Sequence, residues 1–228
     1  MQTATRGGFA TTYARGWHAL VAAVTGSALV FQLILVINGA AVLVATEPPS
    51  TGERLIRLFS YFTILSNLLV FYTSATLATE PSKSGRVWNV LRLNAMAGIV
   101  VTGIVHWFFL RPILHLSGGP YVADKLVHVV VPLLAVIGWV AFGPRHRISW
   151  RIFLPSLIYP IAWVAFTLVR GAASGWYPYP FVDVGLHGYG VVTLNCLGIA
   201  VLLLGVSALL LYADRLLGRR TTTPEPSR

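Results

Sequence analysis

The sequence predicts an all-α polytopic membrane bundle of six transmembrane helices with both termini on the cytoplasmic side, and three observations predict it. First, 56% of the 228 residues are hydrophobic and 11% are charged, too few charges to coat a water-soluble globule of this size. Second, six apolar stretches reach the length that a hydrocarbon core roughly 30 Å thick demands at about 1.5 Å per helical residue. Third, the basic residues divide unevenly between alternate connections. Arg6, Arg15, Lys83, Arg86, Arg92, Arg145, Arg147, Arg151, Arg215, Arg219, Arg220 and Arg228 fall on one side, and Arg54, Arg57, Arg111, Lys125 and Arg170 on the other. Positively charged loops stay in the cytoplasm, so the larger set marks the inner face.

The stretches run Trp17 to Val44, Leu58 to Ala78, Leu93 to Leu110, Leu126 to Phe142, Ile152 to Val169 and Tyr189 to Leu211, and none contains Asp, Glu, Lys or Arg. The first is 28 residues long, well beyond the roughly 7 to 15 of a signal-peptide core, and no small-x-small site follows it, so it is expected to stay as a membrane helix. Breakers close the runs at Glu47-Pro48-Pro49, Glu80-Pro81, Gly118-Gly119-Pro120 and Gly143-Pro144. The expected organisation is a cytoplasmic tail over 1–16, a six-helix domain over 17–213 and a second tail over 214–228. Cys196 lies inside the last apolar stretch and has no cysteine partner. The net charge of +10 is dispersed at helix ends, which argues against nucleic acid and for membrane lipids as the partner. Arginine outnumbers lysine fifteen to two, which points to a GC-rich bacterial genome and so to a multi-pass protein of the inner (plasma) membrane.

Polar side chains at membrane depth are expensive, so their depth is the informative pattern. Thr63 stands about five residues, roughly 7.5 Å, below the outer end of the second helix. His128 occupies a similar depth on the fourth. His106 and Arg111 lie near the outer end of the third, His187 one turn before the sixth, and Asn38 of the first helix is placed to reach the same layer. The inner half carries no comparable set. In SYFTILSNLL, Thr63, Ser66 and Asn67 share one helical face, and an asparagine amide in lipid requires partners from another helix. In DKLVHVVVPLL, Asp124 and His128 are one turn apart, so the carboxylate is placed to orient the imidazole, and Pro132 is placed to kink that helix.

A lone membrane threonine commonly bonds its own backbone, and a buried histidine is commonly structural. Together, Thr63 and His128 supply a hydroxyl nucleophile and a base at matched depth, the minimal acyl-transfer pair. Ser66 is an alternative hydroxyl. Asn67 and the end of the sixth helix are candidates to stabilise an oxyanion, and Arg111 or Arg170 to hold a substrate carboxylate. The fifth connection, RGAASGWYPYPFVDVGLHG, gathers Trp176, Tyr177, Tyr179 and Phe181 around two prolines; it reads either as an aromatic interface belt or as a semi-rigid lid over an outward-opening site. Two classes follow: a hydrolase of lipid esters needing no metal or cofactor, or a non-enzymatic transporter or lipid-binding protein whose polar layer is a recognition pocket. A haem or metal site built on His106 with His187 or His128 ranks last, because no HxxxH-type spacing is present.

Three strings, SYFTILSNLLV, DKLVHVVVPLL, and LIYPIAWVAF with RGAASGWYPYPF, make nearly the whole chain resemble the androgen-induced-gene family of six-span membrane hydrolases, and more closely its bacterial six-span relatives. Eukaryotic members are threonine hydrolases of fatty acid esters of hydroxy fatty acids that use one intramembrane Thr and one His. The resemblance implies those roles for Thr63 and His128.

Overall fold

The computed structural model describes residues 3–39 and 49–219, and within them every regular element is helical. The order is α1 (Thr3–Ile37), α2 (Thr51–Ser60), α3 (Phe62–Thr79), α4 (Arg86–Val105), α5 (Gly118–Lys125), α6 (Val131–Phe142), α7 (Trp150–Ser156), α8 (Ile158–Ser174) and α9 (Val184–Arg219). A π-helical turn, His106–Leu110, and a short 3-10 turn, Arg111–Ile113, extend α4. A second π turn, Leu126–Val130, joins α5 to α6. Six helical segments are long and apolar enough to cross a membrane, Thr11–Ile37, Phe62–Thr79, Arg86–Ile113, Gly118–Phe142, Trp150–Ser174 and Val184–Arg219, so the expected six-span bundle is what the chain forms. The expected end of the first span at Val44, the Glu47-Pro48 breaker and the tail from residue 220 lie outside the described residues.

The bundle is built around α4, which packs against α3, α6, α7 and α9, while α1 lies along α3 and α6. Ile99, Val101, Val131 and Val192 are among the buried side chains of this core. Large apolar residues on the outer faces of α1, α8 and α9, such as Val30, Val169 and Val201, are exposed, which suits a lipid solvent and no aqueous one.

One expectation is corrected. The second apolar stretch is not one helix: the chain is extended at Tyr61 (φ −72°, ψ 127°), between α2 and α3. The opened backbone finds partners elsewhere, because the Trp163 indole donates to the Ser60 carbonyl (2.9 Å) and the Tyr61 ring packs edge-on against Trp176 and Tyr179. Helical structure runs on into both expected tails, since α1 begins at Thr3 and α9 continues through Arg219.

The end of the bundle away from Thr63 and His128 holds a buried polar cluster that the sequence did not mark, because its members come from segments far apart in the chain. Arg92 is buried and donates to the Pro144 carbonyl (3.2 Å). Asp214, 1% exposed, accepts the backbone N–H groups of Arg147 (2.9 Å) and Ile148 (3.1 Å) through Oδ2. This carboxylate fastens the α6–α7 connection to α9. Asp214→Ala leaves two backbone donors unpaired, at a cost of roughly 1–3 kcal/mol. A lowered melting temperature in detergent, with the outer end of the bundle unaffected, is the expected result; an unchanged melting temperature would show the fastening to be dispensable.

Candidate active site

The break at Tyr61 decides what the Thr63 hydroxyl does. Elsewhere, helical hydroxyls bond the carbonyl four residues back, as Thr25 does to Val21 (2.7 Å), Thr73 to Leu69 (2.8 Å) and Thr76 to Tyr72 (2.8 Å). Thr63 sits in the first turn of α3, where the preceding helix has ended. Its Oγ1 therefore turns to other elements: His128 Nε2 is 3.2 Å away and the Tyr179 hydroxyl 3.1 Å.

His128 is carried on the π turn between α5 and α6, and Pro132 explains that turn's anchoring. In π register the residue five places on from Val127 is Pro132, which has no N–H to give. Asn67 fills the gap, with Nδ2 donating to the Val127 carbonyl (3.3 Å) and to the Thr63 carbonyl (2.8 Å). One amide thus clamps the threonine turn to the histidine turn. Gly103 of α4 faces this turn: a Cβ there would stand in ordinary contact with the His128 carbonyl oxygen (3.4 Å) and Pro132 Cβ (3.6 Å).

The tautomer of His128 follows from its neighbours. Nδ1 lies 3.1 Å from the Asp124 backbone oxygen and 3.0 Å from Asp124 Oδ1. Both accept only, so Nδ1 carries the proton and Nε2 presents its lone pair to the Thr63 O–H. Asp124 Oδ1 is also 2.9 Å from His106 Nε2, off the line of that ring's N–H, and Oδ2 pairs with Lys125 Nζ (2.8 Å). His106 is buried on the other π turn and stacks on His128, with ring centroids 4.1 Å apart and planes at 12°.

His106, Asp124 and His128 bring three potential ligand atoms within 4.8 Å. Their geometry does not fit a chelate. A metal ion lies close to the plane of each imidazole it binds, and two rings stacked nearly parallel direct their lone pairs along separate planes. The trio reads as a stacked imidazole pair sharing one carboxylate.

Thr63, Asp124, His128 and Tyr179 lie on the wall of a cavity of about 400 Å³ at the end of the bundle where α1 finishes, with His106 packed behind His128. It is lined by Leu35 and Val36 of α1, Arg54, Arg57 and Leu58 of α2, Leu110 and Ile113 after α4, Val127 and His128, and Trp176, Pro178 and Tyr179 of the last connection. The aromatic connection therefore forms one wall of this cavity. Tyr177 packs it onto α8, where a Cβ on Gly171 would fall 2.0 Å from the tyrosine ring. Trp176 lies against two guanidinium groups, Arg57 at 5.0 Å and Arg170 at 4.9 Å, and both pair with Glu53 Oε1 (2.7 and 2.8 Å). The hydrogen bond from Arg57, with that from Arg170, holds the Glu53 carboxyl below its usual range.

Of the residues singled out in the sequence, the structure gathers Thr63, His128, Asp124 and His106. The others lie elsewhere. Ser66 Oγ contacts the Tyr159 hydroxyl (3.3 Å), and a Cβ on Gly98 would come within 2.7 Å of it, so it belongs to the tight α3–α4 seam. Asn67 has committed both amide hydrogens to backbone carbonyls and is no oxyanion donor. Asn38, Arg111 and His187 are exposed and do not line the cavity; Arg111 lies over the Trp107 ring at 4.1 Å. Arg170 is engaged with Glu53, and the guanidinium groups that do line the cavity are Arg54 and Arg57. Tyr179 is the partner that sequence reasoning missed as chemistry. Its phenol also accepts the Thr63 backbone N–H (3.2 Å), and burial pushes its pKa up, which keeps it protonated. Its one signal was its place between Pro178 and Pro180. Compared with known proteins, the chain matches no family profile, no curated protein and no solved structure.

Proposed function

We propose that the protein is an intramembrane hydrolase of lipid esters, with Thr63 as nucleophile, His128 as base and Asp124 as the group that orients the base. The observation that carries this reading is the Thr63 Oγ1–His128 Nε2 contact of 3.2 Å on the wall of a largely apolar cavity, with His128 Nδ1 bonded to the Asp124 backbone carbonyl (3.1 Å) and 3.0 Å from the Asp124 carboxylate. Nucleophile, base and orienting group in hydrogen-bond series are what acyl transfer requires. The resemblance of the strings around Thr63 and His128 to six-span threonine hydrolases supports the same roles.

In this mechanism the acyl chain enters sideways between helices and its ester carbonyl reaches Thr63. Oγ1 forms a bond to the carbonyl carbon as its proton passes to Nε2. The adduct collapses by breaking the bond to the alkoxy oxygen, which takes that proton and leaves as the alcohol. Water entering from the outer side then adds to the acyl-threonine, giving a proton to Nε2. Collapse frees the fatty acid and returns the proton to Thr63. Asp124 stabilises the imidazolium that forms in both halves.

The purified protein in lipid vesicles should release many equivalents of free fatty acid from a branched fatty acid ester. Saturable binding with no release would favour a lipid-binding or transport role instead. Asp124→Asn should slow release by about 10- to 100-fold, less than the roughly ten-thousandfold seen where a carboxylate alone sets the tautomer. The Asp124 carbonyl still holds Nδ1–H in that variant. An unchanged rate would take the carboxylate out of the mechanism.

A further inference from the structure

We propose that Tyr179 is a catalytic residue whose phenol donates the hydrogen bond that holds the oxyanion formed when Thr63 adds to an ester carbonyl. The inference rests on the hydrolase reading and assigns the one chemical task which that reading leaves without a residue.

An adduct at Thr63 needs a donor for its oxygen, and the donors expected from the sequence are spent. Asn67 gives its amide hydrogens to Thr63 and Val127 carbonyls, and at the start of the sixth span the Gly185 and Leu186 N–H groups donate to Asp183 Oδ1 (2.8 and 3.2 Å) and that of His187 to the Asp183 carbonyl; the nearby Ile64 and Leu65 N–H groups of α3 bond the Tyr61 carbonyl (3.1 and 3.2 Å). The Tyr179 hydroxyl is different. It accepts from Thr63 N–H, which can only donate, so its own proton is free to point at an oxygen at the nucleophile. It stands 3.1 Å from Thr63 Oγ1. The adduct's oxyanion is bonded to the carbon that Oγ1 attacks and so forms beside that atom, within the roughly 2.7–3.1 Å reach at which a donor is effective.

The phenol is also held in advance of the reaction. Its ring stacks on Phe181 (5.1 Å, 6°), meets Tyr61 edge-on (5.5 Å) and lies against Trp163 (5.9 Å), with prolines on both sides in the chain. A donor fixed by packing needs no reorganisation as charge develops. As Oγ1 bonds to carbon, the carbonyl π pair moves onto oxygen, where it accepts the phenol hydrogen bond. When the pair returns and the alkoxy group leaves, the phenol keeps its proton and His128 supplies the one the alcohol needs.

The test compares wild type, Tyr179→Phe and Thr63→Ala on p-nitrophenyl decanoate in detergent micelles, with melting temperatures measured alongside. Tyr179→Phe should lower kcat by about 10²–10³ with KM within about threefold, the loss expected for one oxyanion donor. Tyr179→3-fluorotyrosine, which keeps the ring and makes the phenol more acidic, should move the alkaline limb of the kcat–pH profile to lower pH, and it serves as the test if the phenylalanine variant does not fold. Full kcat in Tyr179→Phe, or an unmoved alkaline limb, overturns the phenol's role while Thr63→Ala still marks the protein as a hydrolase. Wild-type protein without turnover, or turnover surviving in Thr63→Ala, overturns the underlying reading and this one with it.

Discussion

Thr63→Ala is expected to reduce lipid-ester turnover by at least about ten-thousandfold, to the limit of detection, with the melting temperature in detergent nearly unchanged. The size follows from the chemistry, because removing a nucleophile abolishes the covalent route, and triad members act as a unit. The small structural cost follows from the contacts: the hydroxyl's two partners, His128 and Tyr179, both line the cavity, where water can take its place, and it bonds no backbone carbonyl. Thr63→Ser should retain turnover, since it keeps the hydroxyl at the same backbone position. Turnover in Thr63→Ala near the wild-type rate would remove the threonine from the mechanism.

His128→Ala is expected to cost about 10²–10⁴ in kcat, the usual contribution of a positioned acid–base group. The imidazole is held on three sides, by Asp124 at Nδ1, by the stacked His106 ring and by Thr63 at Nε2. Truncation leaves a space next to His106, and the threonine loses its proton acceptor. His128→Gln separates the two effects, because it fills the space and can accept a hydrogen bond without taking the proton. Turnover of the glutamine variant should be as low as that of alanine; recovery in glutamine would make the residue a spacer.

The six spans were legible in the sequence because lipid imposes a length and composition that few other environments demand: four of the six apolar stretches lie within spanning segments, the second starts four residues early, at Leu58 in α2, and the first runs on past the described residues. The Thr63–His128 pairing was legible for a related reason. Hydrophilic groups at matched depth in an apolar bundle have few places to go but toward each other, and Asp124 four residues before His128 pointed to the orienting carboxylate. What escaped the reading depends on backbone irregularity and on distant segments. The extended residue at Tyr61 sits in an apolar run without glycine or proline, and the indole that satisfies its neighbour's carbonyl comes from Trp163, a hundred residues away. Depth alone could not rank Asn67 as a clamp over an oxyanion donor, because that depended on the π turn at Leu126–Val130. Asn38, Arg111 and His187 were grouped with the site by depth, and they face away because residues at one depth can point in any direction around a helix. The inner Asp214 cluster was hidden because its partners are main-chain N–H groups, which a sequence does not mark.

The central claim is that Thr63 is made reactive by His128, and labelling with a fluorophosphonate followed by peptide mass spectrometry tests it most directly. One adduct per chain on Thr63, lost in Thr63→Ala and sharply slowed in His128→Ala, is the predicted result. An adduct on Ser66, or labelling of Thr63 at full rate without the imidazole, would contradict it.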